Sequence, residues 1–306
     1  MEQQKIPAKT AFLTSILLIW AAVLWPVVAP RKAWAYDLQE IKQAGVLRHL
    51  GIPYANFVTG SGDGLDVELI KLFAERLGVR YEYVRTGWNE AITDLTGKKF
   101  LVKKDGDVKV TGEAPIRGDL IANGMTILPW RKKVVDFSLP TFPTQIWLIA
   151  RADSPMKPIT PTGDIGRDIA LTKEVLRGHT TMGKEKTCLD PDLYRLEQCA
   201  SGVILFDGGL NELAPALITD RAESTILDVP DALVALEKWP GELKIIGPVS
   251  PRQKMGVGFA KTAPDLRQAF DTFLTGIIAD GTYTRLVKKY YLAVFDYYPE
   301  FFRKQQ

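Results

Sequence analysis

The fold is decided by residues 46–84, which read VLRHLGIPYANFVTGSGDGLDVELIKLFAERLGVRYEYV. Residues 46–50 have the length and pattern of a short strand, and residues 80–84 alternate apolar and polar side chains as a second strand does. Between them, apolar side chains recur at helical spacing over residues 66–77, which predicts an amphipathic helix. Another helix is predicted over residues 89–95. This β-α-β-α order is typical of an open, largely parallel sheet.

A second series of strands and helices extends over residues 164–246, and the chain then returns through residues 256–259 to two closing helices. Two such series predict an α/β protein with two lobes, each an open mixed sheet flanked by helices. Open α/β sheets bind ligands beyond the carboxyl ends of their strands, so we expect a ligand cleft between the lobes. We assign residues 36–147 and 253–306 to the first lobe and residues 148–252 to the second.

The N-terminal 35 residues have the layout of an export signal. Lys5 and Lys9 precede an apolar run from residue 11 to residue 29, and the small residues of the following Ala-Trp-Ala stand where signal peptidase cleaves. This pattern predicts cleavage before Tyr36 and a location in the periplasm. An uncleaved membrane anchor is the alternative, because the apolar run is nearly long enough to span a bilayer.

The composition excludes a disordered or fibrous chain, since 46% of the 306 residues are hydrophobic and 25% are charged. The formal net charge of +3 comes from the export signal, because residues 1–35 hold four of the 39 basic residues and one of the 36 acidic residues. The rest of the chain carries 35 residues of each sign. This neutral balance gives no argument for binding nucleic acid or anionic membranes.

The two cysteines, Cys188 and Cys199, are eleven positions apart. In an oxidising compartment they are predicted to form one disulfide that closes a short loop, with two free thiols as the alternative. The two histidines, His49 and His179, are each expected to be structural. These residues do not have metal-ligand spacing, and we expect neither a metal nor a cofactor.

Residues 100–112 interrupt the α/β order. Apolar and polar residues alternate on both sides of an Asp-Gly pair that favours a tight hairpin turn. The polar positions are mostly charged, so the sequence predicts a solvated surface hairpin.

An anion-binding turn is indicated by residues 119–138, which read DLIANGMTILPWRKKVVDFS. A short buried strand is expected to end at Gly124, and a helix that begins near Pro129 to follow. Backbone N–H groups at this turn, the Thr126 hydroxyl and the Arg131 guanidinium would together bind a carboxylate. The alternative is a basic surface helix for which Thr126 is only a cap.

Several motifs follow one another along the chain: GVLR from residue 45, GLDVEL from residue 64, GMTI from residue 124 with an arginine four residues on, VDFS from residue 135, and DGTYTRLVKKY from residue 280. Together they resemble family 3 of the bacterial extracellular solute-binding proteins, over residues 38–292. The best-known members of that family are periplasmic receptors for polar amino acids. The resemblance therefore implies the two-lobed, type II periplasmic-binding-protein fold.

The resemblance also implies which residues bind the ligand. In amino-acid receptors of this kind, the positions of Gly124, Thr126 and Arg131 bind the substrate carboxylate. The position of Asp228, at the end of a second-lobe strand, pairs with the α-ammonium. An alternative for Asp228 is capping of the helix that starts near Pro230.

The positions of Tyr54 and Trp88 match the aromatic pair that encloses the substrate side chain, with core packing as the alternative for either residue. The second-lobe anion loop of the family is replaced here by GKEKTC, residues 183–188, in which Thr187 is assigned the ligand contact. This loop and other departures indicate an outlying branch whose ligand need not be a common amino acid.

By resemblance, the protein is a receptor and not an enzyme. A small ligand, an amino acid or related carboxylate, binds one lobe, and the other lobe closes over it. The closed receptor, expected to be a monomer, then delivers the ligand to the membrane permease of an ABC transporter. Two alternatives stay open: an accessory or sensory solute-binding domain that acts on another partner, and a cyclohexadienyl-dehydratase-like enzyme on the same fold, with Asp228 or a nearby acid in catalysis.

Overall fold

The computed structural model describes residues 36–103 and 106–303. The predicted export signal of residues 1–35 lies outside this part of the chain. The described chain is built on two five-stranded mixed sheets with helices packed against them. We call the first sheet and its helices lobe 1 and the second sheet and its helices lobe 2. The predicted two-lobed α/β fold is confirmed.

In chain order, the first elements are α1 (Leu38–Ala44), β1 (Val46–Gly51), α2 (Leu65–Leu77), β2 (Arg80–Arg85), α3 (Ala91–Thr96), β3 (Lys98–Val102), β4 (Val108–Glu113), β5 (Leu120–Ile121), α4 (Pro129–Val134) and β6 (Val135–Phe137). The next are β7 (Phe142–Thr144), β8 (Ile146–Arg151), α5 (Ile165–Leu176), β9 (Thr180–Gly183), β10 (Gly202–Leu205), α6 (Leu213–Ile218), β11 (Ser224–Asp228), α7 (Val229–Lys238) and β12 (Leu243–Pro248). The last are β13 (Gln253–Met255), β14 (Gly258–Ala260), α8 (Pro264–Ala279), α9 (Thr282–Tyr291), α10 (Val294–Tyr297) and α11 (Pro299–Arg303). Short 3-10 turns lie at Pro191–Tyr194, Leu196–Gln198 and Leu210–Glu212.

Lobe 1 is organised around a sheet in the order β2-β1-β5-β14-β6. β1 pairs in parallel with β2, with Val46 opposite Arg80, and also with β5. β14 runs antiparallel between β5 and β6. Helix α2 ends at Gly78, whose φ of 71° closes the helix in the left-handed conformation that glycine adopts without strain. The strand–helix–strand prediction for residues 46–84 is confirmed.

Lobe 2 is organised around a sheet in the order β10-β9-β11-β8-β12. β9 pairs in parallel with β10 and β11, whereas β8 is antiparallel to β11 and β12. The two segments that connect the sheets pair with each other as β7 and β13, with Thr144 opposite Gln253. A narrow two-stranded connection of this kind lets two lobes move as bodies about a hinge.

The predicted hairpin is confirmed, and it is longer than residues 100–112. β3 pairs antiparallel with β4, with Lys98 opposite Glu113. Leu101 and Val110 on this hairpin are 53% and 50% exposed. The hairpin therefore adds surface to lobe 1 and contributes little to its core.

The closing helices pack on lobe 1, where Phe270 and Phe273 of α8 contact Phe73 of α2. The short helices α10 and α11 follow, and Phe302 reaches Phe142 on β7. The sequence predicts neither short helix, because each is shorter than two turns and has no helical periodicity to detect. Over the described residues, every helix is too short or too polar to cross a lipid bilayer.

Candidate ligand-binding site

Gly124 lies in a turn of lobe 1, as predicted, but the preceding strand β5 ends at Ile121 and not at Gly124, and the Gly124 N–H has an unexpected hydrogen-bond partner. Gly124 has a φ of 66°, and a Cβ at this position would lie 2.4 Å from the Phe57 ring, so only glycine fits. Its N–H donates to Asp66 Oδ2 at 2.7 Å. In this structure Gly124 therefore shapes the turn, and the N–H assigned to a ligand carboxylate already has an acceptor.

Asp66 is a buried acid that sequence reasoning missed. Burial disfavours its charged form and raises its pKa to about 7, against the lowering effect of the Gly124 N–H. Its second oxygen, Oδ1, is buried and has no hydrogen-bond partner among residues 36–103 and 106–303. The sequence did contain a signal for a buried acid: Asp66 lies in the first turn of α2 among apolar neighbours. A charged side chain that is surrounded by apolar residues cannot be fully hydrated.

Arg131 points into the protein from the first turns of α4. The side chain is only 2% exposed, whereas its neighbours Lys132 and Lys133 face solvent. Nη1 donates to the Thr126 carbonyl oxygen at 2.9 Å, and Nε is buried without a partner. Within the described residues, no carboxylate lies within ion-pair distance of this guanidinium. Burial lowers the pKa of Arg131, and nearby acidic groups oppose that effect. The alternative of a basic surface helix therefore describes Lys132 and Lys133, which are exposed, but not Arg131, which is buried.

The guanidinium of Arg131 lies near two tryptophans, 5.9 Å from the Trp88 ring centroid and 5.4 Å from that of Trp130. These distances are within the range of cation–π attraction. Both rings line a cavity of about 150 Å³. A group bound at Arg131 would therefore have an aromatic surface next to it.

Thr126 completes the first pole of the site. Its side chain is fully buried, and its backbone bridges to Met255 next to the hinge. Its Oγ1 has no hydrogen-bond partner within the described chain and lies beside the Cys188 thiol. Among the described residues, lobe 1 thus presents two buried side-chain donors without a well-formed hydrogen bond: Arg131 Nε, and Thr126 Oγ1, whose neighbour is the Cys188 thiol.

Asp228 forms the second pole, at the end of β11 in lobe 2. It is fully buried, and Oδ1 accepts a 2.5 Å hydrogen bond from the Tyr54 hydroxyl of lobe 1. Oδ2 faces the Cys188 thiol at 3.6 Å. Burial raises the pKa of Asp228 to about 6, against the lowering effects of these donors and of Arg131. The Tyr54–Asp228 hydrogen bond joins the two lobes across the cleft.

Asp228 also caps a helix, as the alternative for this residue proposes. Oδ1 accepts from the Asp231 N–H at 3.3 Å, in the first turn of α7. Asp231 is itself 5% exposed, and within the described chain its Oδ2 has no hydrogen-bond partner. Burial and the Asp228 charge raise the pKa of Asp231 well above the usual range. Its position three residues after Asp228 could have identified Asp231, because the side chain of an N-cap residue accepts from the backbone N–H three residues on.

The aromatic pair comes together at this site. Tyr54 is fully buried and meets Trp88 edge to face, with ring centroids 5.5 Å apart. Tyr54 also stacks against Phe57, so it is part of the core as well as a partner of Asp228. Trp88 is only partly buried, and it lines the cavity of about 150 Å³ together with Trp130 and residues of the hairpin.

Thr187 stabilises its own loop. Its hydroxyl donates to the Lys184 carbonyl oxygen at 2.8 Å and accepts from the Leu189 N–H at 3.0 Å. Such local bonds are typical of turns with threonine. The hydroxyl therefore has both of its hydrogen bonds within the loop, and the residue next to it, Cys188, is the one that reaches Asp228.

The predicted disulfide between Cys188 and Cys199 is not present, and both residues are free thiols. Each thiol has a partner of its own: that of Cys188 faces Asp228, and that of Cys199 lies 3.3 Å from the Leu196 carbonyl oxygen. Two 3-10 turns separate the cysteines and direct their side chains to different places. Sequence reasoning assigned Cys188 to a crosslink and so missed it as a residue of the site.

The chain belongs to the bacterial extracellular solute-binding proteins, family 3, whose profile matches residues 51–102 and 114–293. The gap between the two matched ranges falls in the hairpin. A probable amino-acid ABC transporter-binding protein of Haemophilus influenzae is 24% identical over 73% of this chain and 74% of that protein. Among solved structures, a mutant of ArgBP from T. maritima superposes with a TM-score of 0.64 and 29% identity, over 83% of this chain and 98% of that one.

One further relative corrects an expectation. The membrane-bound lytic murein transglycosylase F of Desulfosudis oleivorans is 27% identical over 91% of this chain, and the match covers 58% of that protein. This chain therefore spans less than two thirds of the relative's length. Because a protein so named is an enzyme, the prediction that this chain is not an enzyme is wrong: membership of the family does not exclude catalysis.

Proposed function

We propose that this protein captures a small solute with a carboxylate group, an amino acid or a related acid, between its two lobes. In this proposal it does so in the periplasm as a monomer and delivers the solute to the permease of an ABC transporter. The observation that carries the proposal is the convergence of buried polar side chains from both lobes at one place in the cleft.

The lobe 1 pole supports the carboxylate part of the proposal. Arg131 Nε and Thr126 Oγ1 are buried without hydrogen-bond partners in the part of the chain that the structure describes, and a buried polar group left unpaired costs about 1–3 kcal/mol. A carboxylate offers two oxygens, which suits a guanidinium and a neighbouring hydroxyl. Binding a carboxylate would remove both penalties at once.

The lobe 2 pole supports closure around the ligand. Asp228 lies on the opposite lobe, and its hydrogen bond with Tyr54 exists only when the lobes are together. A ligand that contacts both poles favours the closed arrangement by the free energy of the contacts made only there. The hinge formed by β7 and β13 permits this motion.

The relatives support the solute class. The relative from Haemophilus influenzae is described as an amino-acid ABC transporter-binding protein, and ArgBP has been solved in an arginine-bound form. Both are similar to this chain over most of its length. Amino acids and their close relatives are therefore the first ligands to test.

The test is thermal unfolding of the refolded protein with the twenty amino acids and a set of small carboxylates. A ligand at about 100 times its Kd adds about 2.7 kcal/mol to the free energy of unfolding, which raises the Tm by several degrees. Small-angle scattering should then show a smaller radius of gyration with that ligand. If none of these compounds moves either quantity, the proposal is contradicted.

A second candidate function rests on the transglycosylase relative, which matches 91% of this chain. In this candidate the protein binds or processes murein, either as an enzyme or as the ligand-responsive part of one. Incubation with purified murein sacculi tests it: release of soluble fragments supports an enzyme, and a Tm increase with those fragments supports a responsive domain. If no soluble fragments are released and the fragments do not raise the Tm, this candidate is contradicted.

A further inference from the structure

Asp231 brings a second buried carboxyl group to the lobe 2 pole. It lies in the first turn of α7, three residues after Asp228, and is 5% exposed. Among the described residues, its Oδ2 has no hydrogen-bond partner. A buried carboxyl oxygen needs a donor, and where the protein does not supply one, a ligand can.

Asp228 by itself offers an ammonium group only part of what it needs. Its Oδ1 already accepts from the Tyr54 hydroxyl and the Asp231 N–H, and its Oδ2 faces the Cys188 thiol at 3.6 Å. A carboxylate oxygen accepts about two hydrogen bonds and a thiol is a weak donor, so Oδ2 keeps capacity for a further donor. An ammonium group has three N–H donors, and Asp231 Oδ2 is a second acceptor for them.

The Asp231 carboxyl lies close to lobe 1. Burial and then the charges of Asp228 and Asp231 raise the pKa of Tyr54 well above its usual range. The charge of Asp231 also adds to the effect of burial on the pKa of Tyr291. Both tyrosines belong to lobe 1 and are buried, and the effect of a charge falls with distance. Asp231 is therefore placed at the cleft and not on the far side of lobe 2.

We propose that Asp231 is a further ligand-binding residue: Asp228 and Asp231 bind one ammonium group of the ligand between them, and Asp231 gives up its proton to the solvent as they do so. The inference rests on the proposed function and specifies its ligand. Arg131 and Thr126 offer donors to a carboxylate, and the two acids offer acceptors to an ammonium. The ligand class is therefore a carboxylic acid with an amino group, and not a plain carboxylate.

The charges of the two acids explain why a proton leaves. Burial and the Asp228 charge raise the pKa of Asp231 well above its usual range, and burial raises that of Asp228 to about 6. Near neutral pH the ligand-free pair therefore holds one negative charge and one proton, because two adjacent buried carboxylates repel each other. An ammonium between them favours the ionised form of both acids.

The other ionisable groups that act on this pair, or on which it acts, are Tyr54, Arg131, Cys188, Tyr194, Tyr291 and Tyr298. Burial raises the pKa of each of these tyrosines, and burial and the Asp228 charge raise that of the Cys188 thiol to about 12. None of these groups changes its charge near neutral pH, and Arg131 is their cation. Asp66 has a pKa of about 7 and acts on Tyr291, so its proton has to be distinguished from that of Asp231 with a variant.

Proton release determines the sign of the pH dependence. Affinity for an amino acid should rise by up to about tenfold per pH unit between about pH 6 and about pH 8, because a proton leaves Asp231 in the complex. A free amino acid keeps its ammonium over this range, so its own titration does not contribute. A plain carboxylate has no cation that replaces the proton, and its affinity should not rise with pH.

The experiment is isothermal titration calorimetry of the whole protein with the twenty amino acids and with matched acids that lack the ammonium group. Examples of matched acids are 4-methylpentanoate for L-leucine and 5-guanidinopentanoate for L-arginine. An amino acid should bind at least about tenfold more tightly than its matched acid at pH 7. Titrations in phosphate and in Tris, whose ionisation enthalpies differ, should show release of up to about one proton for each amino acid bound.

Two variants distinguish ligand binding by Asp231 from a role in the fold alone. Asp231→Asn keeps the size of the side chain but has no proton to release. Its affinity for the amino acid should fall at least about tenfold at pH 8, its proton count should fall, and its affinity for the matched acid should not change. Glu237→Gln is the matched control, because Glu237 is an exposed acid of the same helix, and it should change neither quantity.

The outcomes separate this inference from the proposed function. A matched acid that binds as tightly as its amino acid, with both lost in Arg131→Ala, would overturn the inference and leave the proposed function standing. An unchanged affinity and proton count in Asp231→Asn would also overturn it, since Asp228 would then bind the ammonium alone. If no amino acid and no matched acid binds, or if binding is unchanged in Arg131→Ala, the proposed function fails together with the inference.

Discussion

In lobe 1, the Arg131 and Thr126 side chains bring buried donors into the cleft that have no hydrogen-bond partner among the described residues. In lobe 2, Asp228 is equally buried, but its oxygens meet a hydroxyl, a backbone N–H and a thiol. The lobe 1 motif also agrees with the family pattern, whereas the lobe 2 loop of residues 183–188 departs from it. In this loop, Cys188 contacts Asp228 in the site, whereas the hydroxyl of the neighbouring Thr187 makes both of its hydrogen bonds within the loop.

The difference shows two ways in which a protein meets the same physical demand. A buried polar group needs a partner, and the partner comes either from a ligand or from the protein itself. Where the protein itself supplies the hydrogen-bond partner, the lobe is stable without ligand, and its affinity for a ligand is lower. Where it does not, the unpaired group is a source of binding free energy.

The largest effect is expected at the lobe 1 pole. Arg131→Ala should weaken binding of the carboxylate ligand by about 3 kcal/mol, because charge-assisted hydrogen bonds are lost and a buried carboxylate is left without its cation. Calorimetry measures the change. Lys132→Ala is the matched control, because Lys132 is an exposed residue of the same helix. This variant should bind the ligand as tightly as the unmodified protein does. Equal affinities in both variants would remove Arg131 from the site.

Gly124→Ala tests the turn that supports this pole. The added Cβ meets the Phe57 ring at 2.4 Å with φ at 66°, so we expect a loss of about 2–3 kcal/mol in the free energy of unfolding. Urea denaturation gives the value. Gly106→Ala is the comparison, because that glycine also has a positive φ and nothing lies within 4 Å of its Cβ position. If both variants lose the same amount, the close approach of Phe57 plays no part.

Asp66 is expected to make stability depend on pH. Its folded pKa of about 7 lies above the unfolded value, so its contribution is fully present below about pH 4 and is lost as the pH rises through 7. Asp66→Asn keeps an oxygen for the Gly124 N–H and removes the titration. The fall in the free energy of unfolding between about pH 5 and about pH 8 should therefore be smaller in the variant, by on the order of 2 kcal/mol. Identical pH profiles would contradict this.

The smallest effects compare the two threonines directly. Thr187→Val should cost about 1 kcal/mol of stability, because two bonds within the loop are lost. Thr126→Val should instead weaken ligand binding by about 1 kcal/mol with stability kept, because its hydroxyl has no partner to lose. Parallel denaturation and calorimetry on both variants measure the two quantities. The reverse pattern would assign the ligand contact to the second-lobe loop.

Much of the first lobe could be predicted from the chain. The strand and helix patterns of residues 46–84 and the turn at Gly124 follow from local spacing, and the structure has both. Local spacing left the direction of Arg131 open, and the structure shows that its side chain is buried. The disulfide between Cys188 and Cys199 could not be judged in this way, because the ten intervening residues can place two thiols together or apart. Local sequence patterns also could not decide whether the protein is an enzyme, because one fold can support either binding or catalysis.

The sequence by itself determined the two-lobed α/β fold and the hairpin, because these depend on periodicity along the chain. Its motif order and family resemblance also indicated four residues of the cleft, Tyr54, Trp88, Arg131 and Asp228, but not Asp66 or Asp231. Only the tertiary structure decided which of those residues keep an unused hydrogen-bonding atom. Tyr54 and Asp228 are 174 positions apart, and Asp66 and Gly124 are 58 apart. Whether a buried donor finds an acceptor depends on distances of a few tenths of an ångström between such remote segments, and spacing in the sequence does not contain them.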